Sequence, residues 1–246
     1  MSDVQRHYET LLGPVYEWSV SGAGDPFKNA AAWLAALRLD RGASYLDLGA
    51  GFGAHVLPLA RAGKSVTAVD LDESLLKQLR DRLDGEGLHA SLHRREILEF
   101  LRTAPPTNWD VVLCLGDTLC HLPSILAVRE FLSASARVLK PGGLLALSYR
   151  DSTRLAAEGT ARFREVARDD KRVMHCLIEP LDAEHLRVTD ILTEVGPQSL
   201  NTRISDYIKV RIAPEQLSAL ATQVGLVVES EDQDRGFVVQ VLSRAG

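Results

Sequence analysis

Leu46-Asp-Leu-Gly-Ala-Gly-Phe-Gly-Ala54 reads as the end of a strand, a glycine-rich turn and the start of a helix. The apolar run Ser44-Tyr-Leu-Asp-Leu stops at the glycines, and helical spacing takes over across 54–62. Glycine has no Cβ and tolerates positive φ, so such a turn lets a ligand approach the backbone closely. A glycine turn at the carboxyl end of a strand is also where open α/β sheets bind ligands.

Strands and helices alternate on the downstream side. Strands are predicted at 65–69, 88–94, 110–115 and 144–149, with helices at 73–83, 97–102 and 124–138. Short apolar strands separated by helices indicate a parallel sheet covered on both faces. Upstream, Val4, Tyr8, Leu11, Leu12, Val15, Tyr16 and Trp18 follow near-helical spacing interrupted at Gly13-Pro14, and Asp25-Pro26 opens a helix to about residue 39. The pattern changes after Arg150: about four longer strands, at 162–167, 172–180, 186–195 and 202–212, follow without helices between them. Helix 214–224 and a hairpin around Asp232-Gln-Asp-Arg-Gly236 close the chain. The expected fold class is α/β. It is a Rossmann-like, seven-stranded, mostly parallel sheet with helices on both faces, a C-terminal antiparallel hairpin, and an antiparallel β insertion after the fifth strand. The expected domains are an N-terminal helical lid over 1–40, a ligand-binding domain over 41–151 and 214–246, and the β insertion over 152–213.

The 246 residues are long enough to bury a core without staples. Apolar residues at 46% and charged residues at 25% are ordinary for a soluble globular protein. The net charge of -5 argues against non-specific nucleic-acid binding, which needs a basic face. Cys114, Cys120 and Cys176 form no CxxC pair, so no disulfide framework is expected. The first residues lack the apolar core of a signal peptide, and no run approaches the ~18 apolar residues of a membrane span. A cytoplasmic protein with no membrane contact and no metal site is expected.

Two ligand types compete for the glycine turn. Gly49, Gly51 and Ala54 satisfy a loose dinucleotide pattern. Asp47, however, stands two residues before the first glycine, and Gly53 extends the run to G-x-G-x-G. An acid there accepts a hydrogen bond from an amine or from loop amides, whereas a pyrophosphate gains nothing from it. The second strand, Val66-Thr-Ala-Val-Asp70, ends in a carboxylate suited to ribose hydroxyls.

Asp47-Leu-Gly-Ala-Gly-Phe-Gly resembles motif I of the class I S-adenosylmethionine (SAM) methyltransferases. Val69-Asp70 resembles their ribose motif, and Arg95-Glu96-Ile97 the motif that meets the adenine amino group, where the family more often has Asp. Asp110–Leu115 with Gly116-Asp-Thr is similar to motif IV, and Leu139-Lys-Pro-Gly-Gly-Leu to the turn before the fifth strand. The resemblance covers about 40–150 and implies a cofactor set of Tyr16, Asp47, Gly49, Ala50, Gly51, Asp70, Leu71, Glu96, Ile97, Leu115 and Gly116. It implies SAM as cofactor and S-adenosylhomocysteine (SAH) as its product. A narrower likeness, of Cys114-Leu-Gly-Asp-Thr-Leu-Cys-His-Leu and Ser148-Tyr-Arg-Asp, is to glycine and sarcosine N-methyltransferases. That likeness implies that the segment after the fourth strand lines the transfer site and that Arg150 binds an acceptor carboxylate.

The candidate acceptor residues are Asp117, Tyr149, Arg150, Tyr207 and Lys209, with His121 and Asp117 as candidate catalytic groups. Asp117 holds an acceptor amine or part of SAM, or else serves a helix N-terminus. His121 is a base for a hydroxyl acceptor, or else a structural histidine. Arg203, Ser205, Tyr207, Lys209 and Arg211 share one strand face, which either roofs the acceptor pocket or is solvated. Tyr8, Tyr16 and Trp18 either pack in the core or close over a sulfonium, with Gly13-Pro14 and the 21–24 turn as hinges. The expected function is methyl transfer to a small-molecule acceptor, an amine or carboxylate-bearing metabolite. The rivals are aminopropyl transfer, a non-catalytic SAM-binding module and a nicotinamide oxidoreductase. The insertion also offers a surface for a homodimer.

Overall fold

The computed structural model describes residues 2–22, 24–155, 161–196, 199–234 and 236–245. The chain begins with α1 (Asp3–His7), a π turn (Tyr8–Leu12), a 3-10 turn (Gly13–Val15), α2 (Tyr16–Ser21) and α3 (Pro26–Ala36). The alternating section runs β1 (Ser44–Leu48), α4 (Val56–Arg61), β2 (Ser65–Asp70), α5 (Glu73–Gly85), β3 (Ser91–Arg94), α6 (Ile97–Thr103) and β4 (Trp109–Cys114). A 3-10 turn (Thr118–His121), α7 (Ile125–Val138) and β5 (Leu139–Tyr149) complete it. Then come β6 (Arg162–Arg168), β7 (Arg172–Pro180), β8 (His185–Val195), β9 (Leu200–Val210), α8 (Pro214–Gln223), β10 (Leu226–Asp234) and β11 (Phe237–Arg244). The expected 21–24 hinge contains residue 23, and the hairpin tip contains residue 235; both residues lie outside the described set, as do 156–160 and 197–198 of the insertion.

Local chemistry starts the helices. Asp25 caps α3, its carboxylate accepting from Phe27 N at 2.9 Å and Lys28 N at 3.2 Å, with Pro26 in the first turn. Asp72, Glu96 and Ser124 cap α5, α6 and α7 in the same way.

The large sheet has seven strands in the order β10-β11-β5-β4-β1-β2-β3. Strands β1 to β5 pair in parallel, and β11 joins β5 antiparallel with β10 beyond it. Alternation along β5 sends Leu145, Leu147 and Tyr149 into a core with α6, α7 and α8. Ala146 joins the opposite core, with Leu34 of α3, Leu57 of α4 and Leu79 of α5. Strand β5 starts at Leu139, earlier than the apolar run suggested, so the Pro-Gly-Gly segment lies inside it. A Cβ on Gly143 would come 2.9 Å from Lys140 O, which accounts for the glycine there.

The second sheet is antiparallel, β6-β7-β8-β9. The first turns of the chain pack on it: Leu11, Leu12 and Val15 share a core with Met174 and Leu192. Helix α3 instead packs with the large sheet. Among the described residues, no helix is long and apolar enough to cross a membrane.

Candidate functional site

The glycine turn is pinned to the tip of β2. Gly49 N and Ala50 N both donate to Val69 O, at 2.8 and 3.1 Å, and Gly51 N donates to Asp70 Oδ2 at 2.8 Å. Gly49 has φ +80° and Gly51 φ +54°, both in the left-handed region. A Cβ on Gly49 would lie 2.5 Å from Thr118 Cγ2, and one on Gly51 3.4 Å from the Tyr16 ring. The backbone therefore forms a cradle that side chains would fill.

Two cavities meet at this turn. The smaller, about 520 Å³, is lined by Asp70, Leu71, Glu96 and Ile97. The larger, about 1290 Å³, is lined by Asp47, Ala50, Leu115, Gly116, Asp117, Arg150, Tyr207 and Lys209. Tyr8, Tyr16, Gly49, Gly51 and His121 line both. The fold thus brings every cofactor residue inferred from the sequence to one of two adjoining cavities.

The two acids of the turn differ in what they hold. Asp70 accepts from Gly51 N and, through Oδ1, from Asp72 N at 2.9 Å. Burial still outweighs these bonds and pushes its carboxyl up to about 6. Asp47 is 1% exposed, and its Oδ2 has no hydrogen-bond partner. Burial first, and then the charge of Asp70, push the Asp47 carboxyl up to about 7. A buried acceptor without a donor is costly unless a ligand supplies one. An ammonium does so, whereas a pyrophosphate would add charge of the wrong sign. The residues present fit SAM: an amine for Asp47, ribose hydroxyls for Asp70, and an adenosine-sized cavity beside Glu96 and Ile97.

The larger cavity carries a buried ion cluster. Lys209 Nζ donates to Asp117 Oδ2 at 2.6 Å, and Arg150 reaches the same carboxylate through Nη1 at 3.3 Å and its backbone N at 2.9 Å. Burial disfavours the Asp117 charge, but the charges of Lys209 and Arg150 hold its carboxyl well below the usual range. Burial likewise disfavours the Lys209 ammonium, and Asp117 more than reverses this. Asp117 stands at the N-terminus of the following 3-10 turn with φ +78°, but its side chain caps no amide of that turn and is given instead to Lys209 and Arg150. The Arg150 guanidinium also sits 3.9 Å over the Phe237 ring.

The polar face of β9 turns inward. Tyr207 and Lys209 line the cavity, while Ile204 on the opposite face is 64% exposed. Tyr207 stacks on His121 at 5.3 Å. Burial, then the Lys209 charge, lower the His121 imidazole to about 3, so it is neutral and too weak a base to hold a proton near pH 7.

Two expectations are corrected. Tyr149, expected at the acceptor site, is fully buried in the core shared with α7 and α8 and lines neither cavity. Alternation along β5 presents its neighbour Ser148 instead, whose Oγ accepts from Gly116 N at 2.8 Å. Trp18 does not close over the turn; the Arg172 guanidinium lies 4.2 Å over its ring.

Sequence reasoning missed His7, Asp190 and Thr118. Fully buried His7 meets Asp190 Oδ2 through Nε2 at 3.1 Å, and its ring lies 4.4 Å from that of Tyr207. Residues 183 positions apart give no local signal. Thr118 was within reach of inference, since it follows the motif IV acid. Among the described residues, no cluster of three or more metal-ligating side chains exists.

Residues 46–143 match the family described as a methyltransferase domain. Among curated relatives, the ubiquinone biosynthesis O-methyltransferase of Xanthomonas campestris is 37% identical over 112 residues, covering 46% of this chain and 45% of that one. The match therefore spans under half the length of the curated relative. The CcbJ methyltransferase of Streptomyces caelestis superposes with a TM-score of 0.80 at 22% identity, over 97% of this chain and 98% of that one. CalS10, an amino pentose methyltransferase of Micromonospora echinaspora described as SAM-bound, superposes with a TM-score of 0.76 at 22% identity, over 94% and 97%. These establish the class I methyltransferase fold across both sheets.

Proposed function

We propose that the chain is a SAM-dependent methyltransferase acting on a small-molecule amine held in the larger cavity. The observation that carries the cofactor is the buried, unpartnered Asp47 Oδ2 at the glycine turn. SAM supplies a methyl group on a sulfonium, a leaving group that needs no further activation. Asp47 holds the amine of its amino-acid end, and Asp70 holds the ribose. Tyr8 and Tyr16, whose rings are 5.7 Å apart and which line both cavities, screen the junction from water.

The second sheet walls the acceptor site on one side, which supports positioning of a nucleophile for in-line attack. An unprotonated amine needs no general base, and the lowered basicity of His121 agrees with that reading. Bound SAM would supply the methyl carbon to the nitrogen lone pair, with the carbon–sulfur electron pair leaving on sulfur and the proton of the new ammonium going to water. The curated O-methyltransferase likeness spans 112 residues, 46% of this chain, and by itself does not assign the acceptor.

Aminopropyl transfer needs acids open to a polyamine, and Asp117 is already held by Lys209 and Arg150. A non-catalytic module would have a closed acceptor pocket, whereas the cavity here is about 1290 Å³. Calorimetric titration with SAM and with NAD tests the cofactor: SAM should bind at micromolar concentration and NAD should not. NAD binding without SAM binding would overturn the proposal. Incubation of labelled SAM with a panel of amines and phenols then tests the acceptor class.

A further inference from the structure

The second-sheet wall of the larger cavity carries cations that its described lining residues do not pair. Arg162 and Arg164 stand two residues apart on β6, opposite Ile178 and Cys176 of β7. All four line the cavity, and the register places both arginines, which are solvent-exposed, on the same strand face as the buried Cys176. Arg164 is close enough for its charge to act on the buried Cys176 thiol. Among the described residues, no carboxylate pairs with either arginine.

Of the described acids that line the same cavity, all but Asp47 are paired. Asp117 is held by Lys209 and Arg150, Asp151 by Arg154 at 3.5 Å, and Asp190 by His7 at 3.1 Å. Asp234 has a partner as well. Asp47 belongs to the glycine turn. Arg150 and Lys209 share one carboxylate, so that cluster keeps an excess positive charge. The two arginines stand about 7 Å apart on one strand face, a spacing at which a single oxyanion group could meet both.

We propose that Arg162 and Arg164, aided by Arg150, form an anion subsite that holds a carboxylate or phosphate group of the acceptor. The acceptor is then a small amine carrying an anionic handle. This rests on the methyltransferase reading and deepens it. The guanidinium fork suits either oxyanion, and two charge-assisted contacts would anchor one end of the molecule.

The test uses the full chain saturated with SAH, titrated calorimetrically at low salt with pyrophosphate and, separately, with glutarate. The proteins are wild type, the double variant Arg162→Ala/Arg164→Ala, and Arg102→Ala, which removes an arginine paired with Glu130 elsewhere on the surface. One probe should bind saturably to wild type and Arg102→Ala alike, and at least tenfold more weakly to the double variant. The probe that binds identifies the handle as phosphate or carboxylate. Absence of saturable binding by both probes, or equal binding to all three proteins, overturns the subsite. SAH affinity is measured first: no SAH binding would refute the methyltransferase reading itself, whereas SAH binding without anion binding refutes the subsite alone.

Discussion

Replacing Asp47 with Asn should make the ligand-free protein more stable and the cofactor bind less well. The Asp47 carboxyl is shifted from 3.8 to about 7, chiefly by burial. A raised acid pKa in the folded state costs stability as pH climbs through the unfolded value, and the full cost is present above the folded one. At about 1.4 kcal/mol per pH unit, the cost above pH 7 is roughly 4 kcal/mol. Asn removes the charge but leaves a buried amide short of partners, returning about 1–3 kcal/mol. The net gain, about 1–3 kcal/mol, raises Tm by roughly 3–8 °C at pH 8 in a chain of this size. At pH 4 the charge cost is nearly gone because Asp47 is protonated, so the variant should melt no higher than wild type and as much as about 1–3 kcal/mol less stable. Cofactor affinity moves the other way: losing a hydrogen bond to a charged group weakens SAM about 10- to 100-fold. Thermal melts at pH 8 and pH 4, with calorimetry of SAM at pH 8, read both effects. An Asp47→Asn protein that melts lower than wild type at pH 8 and binds SAM equally well would refute the role of the unpaired carboxylate.

Wild-type affinity for SAM should fall at least about tenfold from pH 8 to pH 6, because Asp47 must ionise to receive an ammonium; in Asp47→Asn only the roughly twofold fall from Asp70, whose carboxyl is pushed up to about 6, should remain. Gly49→Ala places a Cβ 2.5 Å from Thr118 Cγ2 at φ +80°, so SAM binding should be lost and stability reduced by about 1–3 kcal/mol, measured by calorimetry and urea melts. Asp117→Asn strands the buried Lys209 ammonium and should cost roughly 3–5 kcal/mol in urea unfolding, whereas Asp117→Leu combined with Lys209→Met should cost much less. His121→Phe should leave the shape of the pH–rate profile unchanged once an acceptor is found, since a histidine lowered to about 3 contributes no ionisation near neutrality.

The large sheet could be read from the sequence because its signals are local. The glycine turn, the Asp25-Pro26 cap and the apolar strands each act within a few residues, and the structure has seven strands with a terminal hairpin as expected. The antiparallel insertion was legible from its long strands without intervening helices. Tyr149 was misplaced although the information was present: with side chains alternating, Ser148 rather than Tyr149 faces the cavity that Arg150 also lines. His7 was invisible for a different reason. Its partner Asp190 lies on β8, and only the packing of the first turns against the second sheet brings them together. The inward polar face of β9 also defied the usual preference, because Lys209 is buried against Asp117 instead of reaching solvent.

A crystal structure of the full chain with SAH bound tests the central claim most directly. The account predicts the SAH amine within hydrogen-bond distance of Asp47 Oδ2, both ribose hydroxyls on Asp70, and the sulfur facing the cavity lined by Asp117, Arg150 and Lys209. An amine held elsewhere with Asp47 Oδ2 still unpartnered, or a sulfur turned away from that cavity, would contradict it.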